Sequence, residues 1–256
     1  MARGYDVLGN IAIVKFDRNA KLKDKKKFAE KFLKEHKAVK TVLEKTGKFS
    51  GRLRTLSTKY IAGEKTKEVL YRENGCEFRF NVDSCYFSPR LASERKEIAG
   101  MVRKKEEILV LFGGVAPFAI VVAKLKNPKK VVSVEIGRDC SKYAEKNVKR
   151  NKVDVEVIQG DVKKVLPKMK DKFDRIIMAR PNLKDSFLDV AFPRVRKEGR
   201  IHYYGFYDED RLDELKEMIK EEAKKAGKKI RITKVKHAGN IGVRKYRYRV
   251  DIIVKN

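Results

Sequence analysis

The 256-residue sequence predicts an α/β protein: a doubly wound sheet with an antiparallel hairpin at one edge, preceded by a small α+β domain. Three observations carry this. From Glu107 onward, short apolar runs alternate with segments of helical period, the pattern of parallel strands joined by crossover helices. The last two runs, "IRITKVK" and "YRYRVDIIV", are separated by a short link, so they must pair antiparallel. Upstream, "VLYRENGCEFRFNV" sets two alternating runs around Asn74-Gly75, the strongest short hairpin signal.

In chain order, "IAIVKF" (Ile11–Phe16) reads as a strand and "KKKFAEKFLKEH" (Lys25–His36) as an amphipathic helix with Phe28, Phe32 and Leu33 on one side. "VKTVLEKTG" and "SGRLRTL" read as strands, and the Asn-Gly hairpin completes a first domain over residues 1–85. A helix over residues 86–104 connects it to a second domain, 86–256. There, strands "ILVLF", "VVSVEI", "VEVIQ", "RIIMA" and "RIHYYGF" are followed in turn by helical segments, the last being "RLDELKEMIKEEAKKAG". The closing hairpin departs from a plain dinucleotide fold and fits class I, Rossmann-like methyltransferases.

The connecting helix holds a puzzle. In "CYFSPRLASERKE", Ser88-Pro89 reads as a helix start. The apolar stripe then runs Leu91, Ile98, Met101, Val102, and helical spacing puts Glu94 and Arg95 in the middle of it. A carboxylate and a guanidinium on a face that should be dry need a chemical reason.

Sixty-four basic residues against 35 acidic give a net charge of +29, spread along the whole chain. That excess is the footprint of a polyanion partner. A lysine-rich solvated surface is the competing reading, but heat-adapted surfaces balance lysine with glutamate, and that balance is missing here. The first domain is therefore expected to face RNA. No run of about 18 apolar residues predicts a membrane span, and "MARGYDVLGN" lacks an apolar signal core, so a cytosolic protein is expected. Cys76, Cys85 and Cys140 form no CxxC pair, and with three scattered histidines there is no zinc pattern. We expect three reduced thiols, no metal, and a monomer.

The turn "LFGGVAPF" carries Gly113, Gly114 and Ala116, small residues that let backbone approach a ligand above the strand ends. Glu135 ends the next strand, placed to accept from a ribose diol, and Asp161 ends the third, placed to take the amino group of an adenine. Asp161 also suits a plain helix cap before Val162. Acids at the ends of strands two and three point to S-adenosylmethionine. A nicotinamide dinucleotide is the alternative, against which stand the missing third glycine and the edge hairpin.

These residues, together with "YFSPRLASER", "VEIG", "GDV", "FDRIIM", "FLDVAF" and "IHYY", resemble the archaeal and eukaryotic tRNA methyltransferases that modify N1 of guanosine 37. The resemblance runs from about Gly4 to the C-terminus, and the family's separate N-terminal domain is expected to be absent. It implies S-adenosylmethionine as cofactor, held by Phe112, Gly113, Gly114, Val115, Pro117, Glu135, Ile136, Asp161, Val162 and Ala179. It implies the anticodon stem-loop of tRNA as partner. N1 of guanine carries a proton and is a poor nucleophile, so the reaction needs a base at N1 and a cation at O6. The resemblance assigns the base to Glu94, the O6 contact to Arg54, and an aromatic wall of the base pocket to Tyr86. Arg90 and Arg95 would fix Glu94 and the RNA backbone. Burial makes a carboxylate a stronger base, which would explain its place in the stripe.

The match has departures. Where the family carries Asn-x-Pro after the fourth strand, this chain has Ala179, with Pro181 retained as a substrate contact; Val110 replaces an aspartate and Ala116 a glycine. A subgroup of archaeal relatives also lacks that asparagine and methylates C7 of demethylwyosine at the same tRNA position, so a second activity of this kind is expected. A sister family transfers an aminocarboxypropyl group from the same cofactor, but it lacks the arginine found here as Arg90. A basic RNA-binding protein without catalysis is the remaining alternative, and it predicts no cofactor affinity.

Overall fold

The computed structural model describes residues 2–47, 51–179, 185–242 and 245–256. It divides into two compact units, Met1–Pro89 and Arg90–Asn256.

In the first unit, β1 (Ala2–Leu8), β2 (Ile11–Phe16), α1 (Leu22–Glu35), β3 (Thr41–Lys45) and β4 (Thr58–Gly63) build a four-stranded sheet in the order β1-β2-β3-β4. The pair β2–β3 is parallel, as a strand–helix–strand crossover requires; the other two pairs are antiparallel. Phe32 and Ala29 of α1 are buried among Ala12, Val14, Val42 and Ile61. The hairpin of β5 (Glu68–Glu73) and β6 (Cys76–Asn81) turns through Asn74 and Gly75, with φ of 49° and 72°. Two successive left-handed residues give the turn whose twist matches paired strands. Phe78 and Phe80 of β6 are fully buried, and Phe87 stacks on Phe80 at 5.0 Å.

The sequence reading and the structure differ at two places here. β1 was not anticipated. Where "SGRLRTL" is expected to be a strand, residues 51–54 form a turn, because Gly51 and Arg54 have φ of 67° and 54°, outside the extended region; Ser50 lies outside the described residues. The strand follows later, as β4.

In the second unit, Pro89–Leu91 form a short 3-10 turn, and α2 spans Ala92–Met101. The helix thus begins three residues after the Pro89 start expected from the sequence, and no side chain caps it. Next come β7 (Glu107–Leu111), α3 (Pro117–Lys126), β8 (Lys130–Glu135), α4 (Arg138–Asn151), β9 (Glu156–Gln159), α5 (Val162–Val165) and β10 (Phe173–Met178). Then follow α6 (Leu188–Ala191), β11 (Val195–Asp208), α7 (Leu212–Lys225), β12 (Ile230–Gly242) and β13 (Lys245–Val254). The sheet order is β12-β13-β11-β10-β7-β8-β9. Only β13 runs antiparallel to its neighbours, so the closing strand returns between β12 and β11. The core is apolar where strands meet helices: Leu109, Leu111, Ile176 and Ile201 are fully buried, with Leu215, Ile219 and Ala223 of α7 on one helical stripe.

The chain leaves β7 toward β8 and β9, then crosses back to β10 on the other side. That reversal opens a crevice at the carboxyl ends of β7 and β10, where doubly wound sheets bind ligands. All three cysteines are buried, but the reading of three reduced thiols is corrected: Cys76 keeps its thiol, whereas Cys85 and Cys140 are each disulfide-bonded.

Candidate active site

The turn after β7 is built on left-handed backbone. Phe112, Gly114 and Ala116 have φ of 61°, 57° and 64°. Such a conformation costs a side-chain-bearing residue about 1–2 kcal/mol, so Ala116 holds a strained position just before Pro117 opens α3. At Gly113 the constraint is contact: an added Cβ would stand 2.2 Å from the Ser133 hydroxyl of β8. Gly113 donates its amide to Val134 O at 2.9 Å.

Glu135, at the end of β8, accepts from the Gly114 amide at 2.8 Å through Oε2 and from the Gly137 amide at 2.7 Å through Oε1. Desolvation pushes this half-buried carboxyl above the usual carboxylate value, against the pull of the Gly137, Gly114 and Ile136 backbone amides. Its backbone carbonyl accepts from Gly160 N at 2.8 Å, which brings in the end of β9. Asp161 caps α5, accepting from Lys163 N at 3.0 Å; an open groove beside it is lined by Gly160, Asp161, Lys164 and Met169. Val115 and Val162 are buried, and Phe112 meets Phe187 edge-on at 5.0 Å. Ala179 follows directly on β10. Four adjacent strand ends thus gather the residues expected around a nucleoside-bearing cofactor. The donor set fits one: backbone amides of Gly114, Ile136 and Gly137 hold the Glu135 carboxylate, whose two oxygens together carry about four lone-pair sites, which leaves room for a ribose hydroxyl. Pro181 and Asn182 lie outside the described residues.

Glu94 is 4 % exposed and Arg95 1 %, while Arg90 is exposed. The surroundings of Glu94 differ from expectation. Its Oε2 accepts from the Tyr204 hydroxyl at 3.0 Å and from Arg249 Nη1 at 2.7 Å; its Oε1 accepts from Lys236 Nζ at 2.6 Å. The three donors come from the sheet, not from Arg90 in the turn before α2 or from Arg95 on α2. The reason lies in strand register. Tyr204, Arg249 and Lys236 are cross-strand neighbours on β11, β13 and β12, so one row of the sheet presents three donors to α2. Arg95 instead lies 5.7 Å over the Phe118 ring, and Phe118 is 5.8 Å from Tyr204, immediately after Pro117.

The cluster continues inward. Arg249, fully buried, also donates to Glu97 Oε1 at 2.7 Å and to Asp251 at 2.9 Å. Burial alone would raise the Glu97 pKa, but bonds from Arg249 and Lys236 lower it to about 2. Asp251 meets His202 Nδ1 at 2.7 Å, and His202 Nε2 meets Arg175 Nη1 at 2.5 Å. Arg175 is always a donor, so Nε2 accepts and the Nδ1 hydrogen points at Asp251. Burial holds His202 below its ordinary pKa, against the pull of Asp251, in keeping with that neutral tautomer. Arg175 closes the chain on Glu106 at 2.7 and 2.9 Å. Sequence reasoning missed all of these partners. The signal was present: Arg175, His202, Arg249 and Asp251 interrupt apolar strands, where an unpaired charge would be costly.

In the first unit, the Arg54 guanidinium stacks 4.5 Å over the Tyr86 ring. The left-handed turn that ends at Arg54 takes the place of the expected strand there. Among the described residues no group of histidine, cysteine and acidic side chains could hold a metal, and no helix is long and apolar enough to cross a membrane.

Residues 69–233 match the TRM5/TYW2 methyltransferase domain, and residues 1–66 the TYW2 N-terminal domain. The chain is 36% identical over 252 residues to the tRNA (guanine(37)-N(1))-methyltransferase Trm5b of Pyrococcus abyssi, covering 98% of this chain and 74% of that protein. The crystal structure of that Trm5b superposes with a TM-score of 0.87, covering 99% of this chain and 76% of the other. The chain is 32% identical over 301 residues to the tRNA (guanine(37)-N(1))/4-demethylwyosine(37)-methyltransferase Taw22 of Nanoarchaeum equitans, covering 97% and 98% of the two chains. Methanocaldococcus jannaschii Trm5, solved in complex with adenosine, is 26% identical with a TM-score of 0.83, over 99% of this chain and 74% of that one.

Proposed function

Since this chain belongs to the TRM5/TYW2 methyltransferase family, which is S-adenosylmethionine-dependent, we propose that it methylates N1 of guanosine 37 in tRNA and also C7 of demethylwyosine there. The observation that carries the first activity is a carboxylate, Glu94, buried yet held at both oxygens by donors from three strands. The second activity is supported by the similarity to Taw22 along nearly its whole length, and by Ala179 where a polar asparagine would narrow the pocket.

Phe112, Gly113, Gly114, Val115, Pro117, Glu135, Ile136, Asp161, Val162 and Ala179 would hold the cofactor, Glu135 on the ribose diol. When bound, S-adenosylmethionine supplies a methyl group already activated on a sulfonium. Glu94 takes the N1 proton of guanine as general base, worth typically 10²–10⁴ in rate. Arg54, pre-positioned on Tyr86, offers a cation to O6, where the negative charge left on the ring collects. Arg90, Arg95 and Pro181 serve the RNA side of the pocket. The first unit faces RNA, with Lys23, Lys26, Lys27, Lys31 and Lys34 on the exposed side of α1. The target base leaves its stack to reach the pocket, and the enzyme works as a monomer in the cytosol.

The test is nucleoside analysis after incubation with tRNA-Phe carrying either guanosine or demethylwyosine. Methylated products from both substrates are expected. Methyl incorporation into guanosine alone would remove the second activity. Glu94→Gln should bind S-adenosylhomocysteine normally and lose most of the rate on guanosine. The match to a TYW2 N-terminal domain favours one second reading, aminocarboxypropyl transfer. Label from the cofactor's carboxyl carbon, rather than from its methyl, would appear in tRNA if that reading held.

A further inference from the structure

The two oxygens of Glu94 are held very differently. The partners of Oε2 cannot move cheaply. Arg249 has no exposed side-chain surface and forks among Glu94, Glu97 and Asp251; Tyr204 is 1 % exposed. Losing either would strand a buried polar group. Oε1 has a single partner among the described residues, Lys236, whose side chain is 32 % exposed and sits on a flexible four-carbon stem. Lys236 also has a second partner, Glu97. It can leave Oε1 and remain paired.

We infer that Arg249 and Lys236 are positioning residues with opposite tasks: Arg249 anchors Oε2 of Glu94 throughout the reaction, and Lys236 occupies Oε1, the proton-accepting oxygen, until the nucleobase displaces it. This rests on Glu94 acting as the base. In the step itself, the N1–H bond breaks, its electron pair stays on the ring for the new bond to carbon, and the proton goes to Oε1. Glu97 keeps Lys236 nearby, and Lys236 returns to Oε1 when the proton has passed to solvent.

The inference makes a specific kinetic demand. The pH profile of kcat/KM reports the free enzyme, and that of kcat reports the enzyme with substrate bound. Removing a cation from beside a carboxylate raises the pH at which it protonates. The charged and titratable groups around Glu94 are Arg95 and Glu97 on α2, Tyr204 on β11, Lys234 and Lys236 on β12, and Arg249 and Asp251 on β13. Of those that bond Glu94 itself, Lys236 is the most exposed and can be removed with least disturbance.

The experiment measures methyl transfer to tRNA across pH for the wild type, K236M, R249K and E94Q. Melting temperature and S-adenosylhomocysteine affinity serve as folding controls. K236M should shift the acid limb of kcat/KM to higher pH and leave the acid limb of kcat in place. R249K, which cannot fork among three carboxylates, should lower kcat about tenfold or more with KM for tRNA changed less than about twofold. A shift of both limbs in K236M would mean that Lys236 stays on Glu94 in the complex, and would overturn the displacement. An unmoved profile in both limbs would reduce Lys236 to a structural contact, overturning its role. If R249K folds and turns over normally, the anchor is wrong. A fully active E94Q would instead sink the general-base reading itself, a distinct failure read from a different variant.

Discussion

Gly114 donates its amide to Oε2 of Glu135 at 2.8 Å, tying the turn after β7 to the end of β8 through one carboxylate. The other oxygen accepts from the Gly137 amide, so both amides need an acceptor opposite them. Glu135→Gln supplies only one. Its amide nitrogen must face a backbone N–H, leaving a donor unpaired at a cost of about 1–3 kcal/mol. We predict at least a tenfold loss of S-adenosylhomocysteine affinity by calorimetry with little change in tRNA affinity. Unchanged cofactor binding would remove Glu135 from the site.

Gly113 is set by the Ser133 hydroxyl, and that contact can be relieved. Gly113→Ala should destabilise the protein by about 1–3 kcal/mol, the usual range for overpacking. The Ser133 hydroxyl is buried and has no hydrogen-bond partner among the described residues, so Ser133→Ala alone should be neutral or slightly stabilising. In the double variant the new Cβ would keep only contacts near 3.5 Å, and most of the loss should be recovered. A denaturant cycle with no coupling between the two changes contradicts this account.

His202 makes stability depend on pH. Burial holds its folded pKa below the ordinary value of 6.5, so below that pH the unfolded chain binds the extra proton. Stability is therefore fully present above about 6.5 and is lost as pH falls toward the lowered folded value. Asp251 adds a second, lower window: burial works against it, but His202 and Arg249 bring its pKa below 3.8. Melting temperature should drop between pH 7.5 and 5.5. His202→Gln should flatten that slope, and an equal slope in the variant would exclude His202 as its source.

The net charge of +29 implies that RNA affinity is largely electrostatic. Neutralising 6–10 phosphates predicts a loss of about 10³–10⁵ in tRNA affinity between 50 and 200 mM salt. Filter binding across that range measures the slope, and a shallow one would place most of the lysines away from the RNA.

The order of elements was legible because period and punctuation were unambiguous: Asn74-Gly75 marked a hairpin, and each apolar run from "ILVLF" onward became a strand. That turn glycines and terminal acids would meet at neighbouring strand ends was legible for a similar reason, since each belongs to a single strand end. "SGRLRTL" misled because alternation alone does not reveal the positive φ of Gly51 and Arg54. The neighbours of Glu94 stayed hidden because they are long-range. Lys236 and Arg249 lie more than 140 residues along the chain and reach Glu94 through the antiparallel register of β13. Helical spacing could show that Glu94 was buried, but not what would meet it.

The place of β13 between β12 and β11 has a consequence for biosynthesis. A ribosome delivers the chain from its N-terminus, and the strand that joins the sheet's outer part to its centre is made after both strands it pairs with. Until β13 is made, β11 has an open flank and Glu94 lacks Arg249, one of its three donors. The sheet of the second unit therefore stays open on that flank until β13 is in place, and removing half of this strand should abolish assembly of the unit.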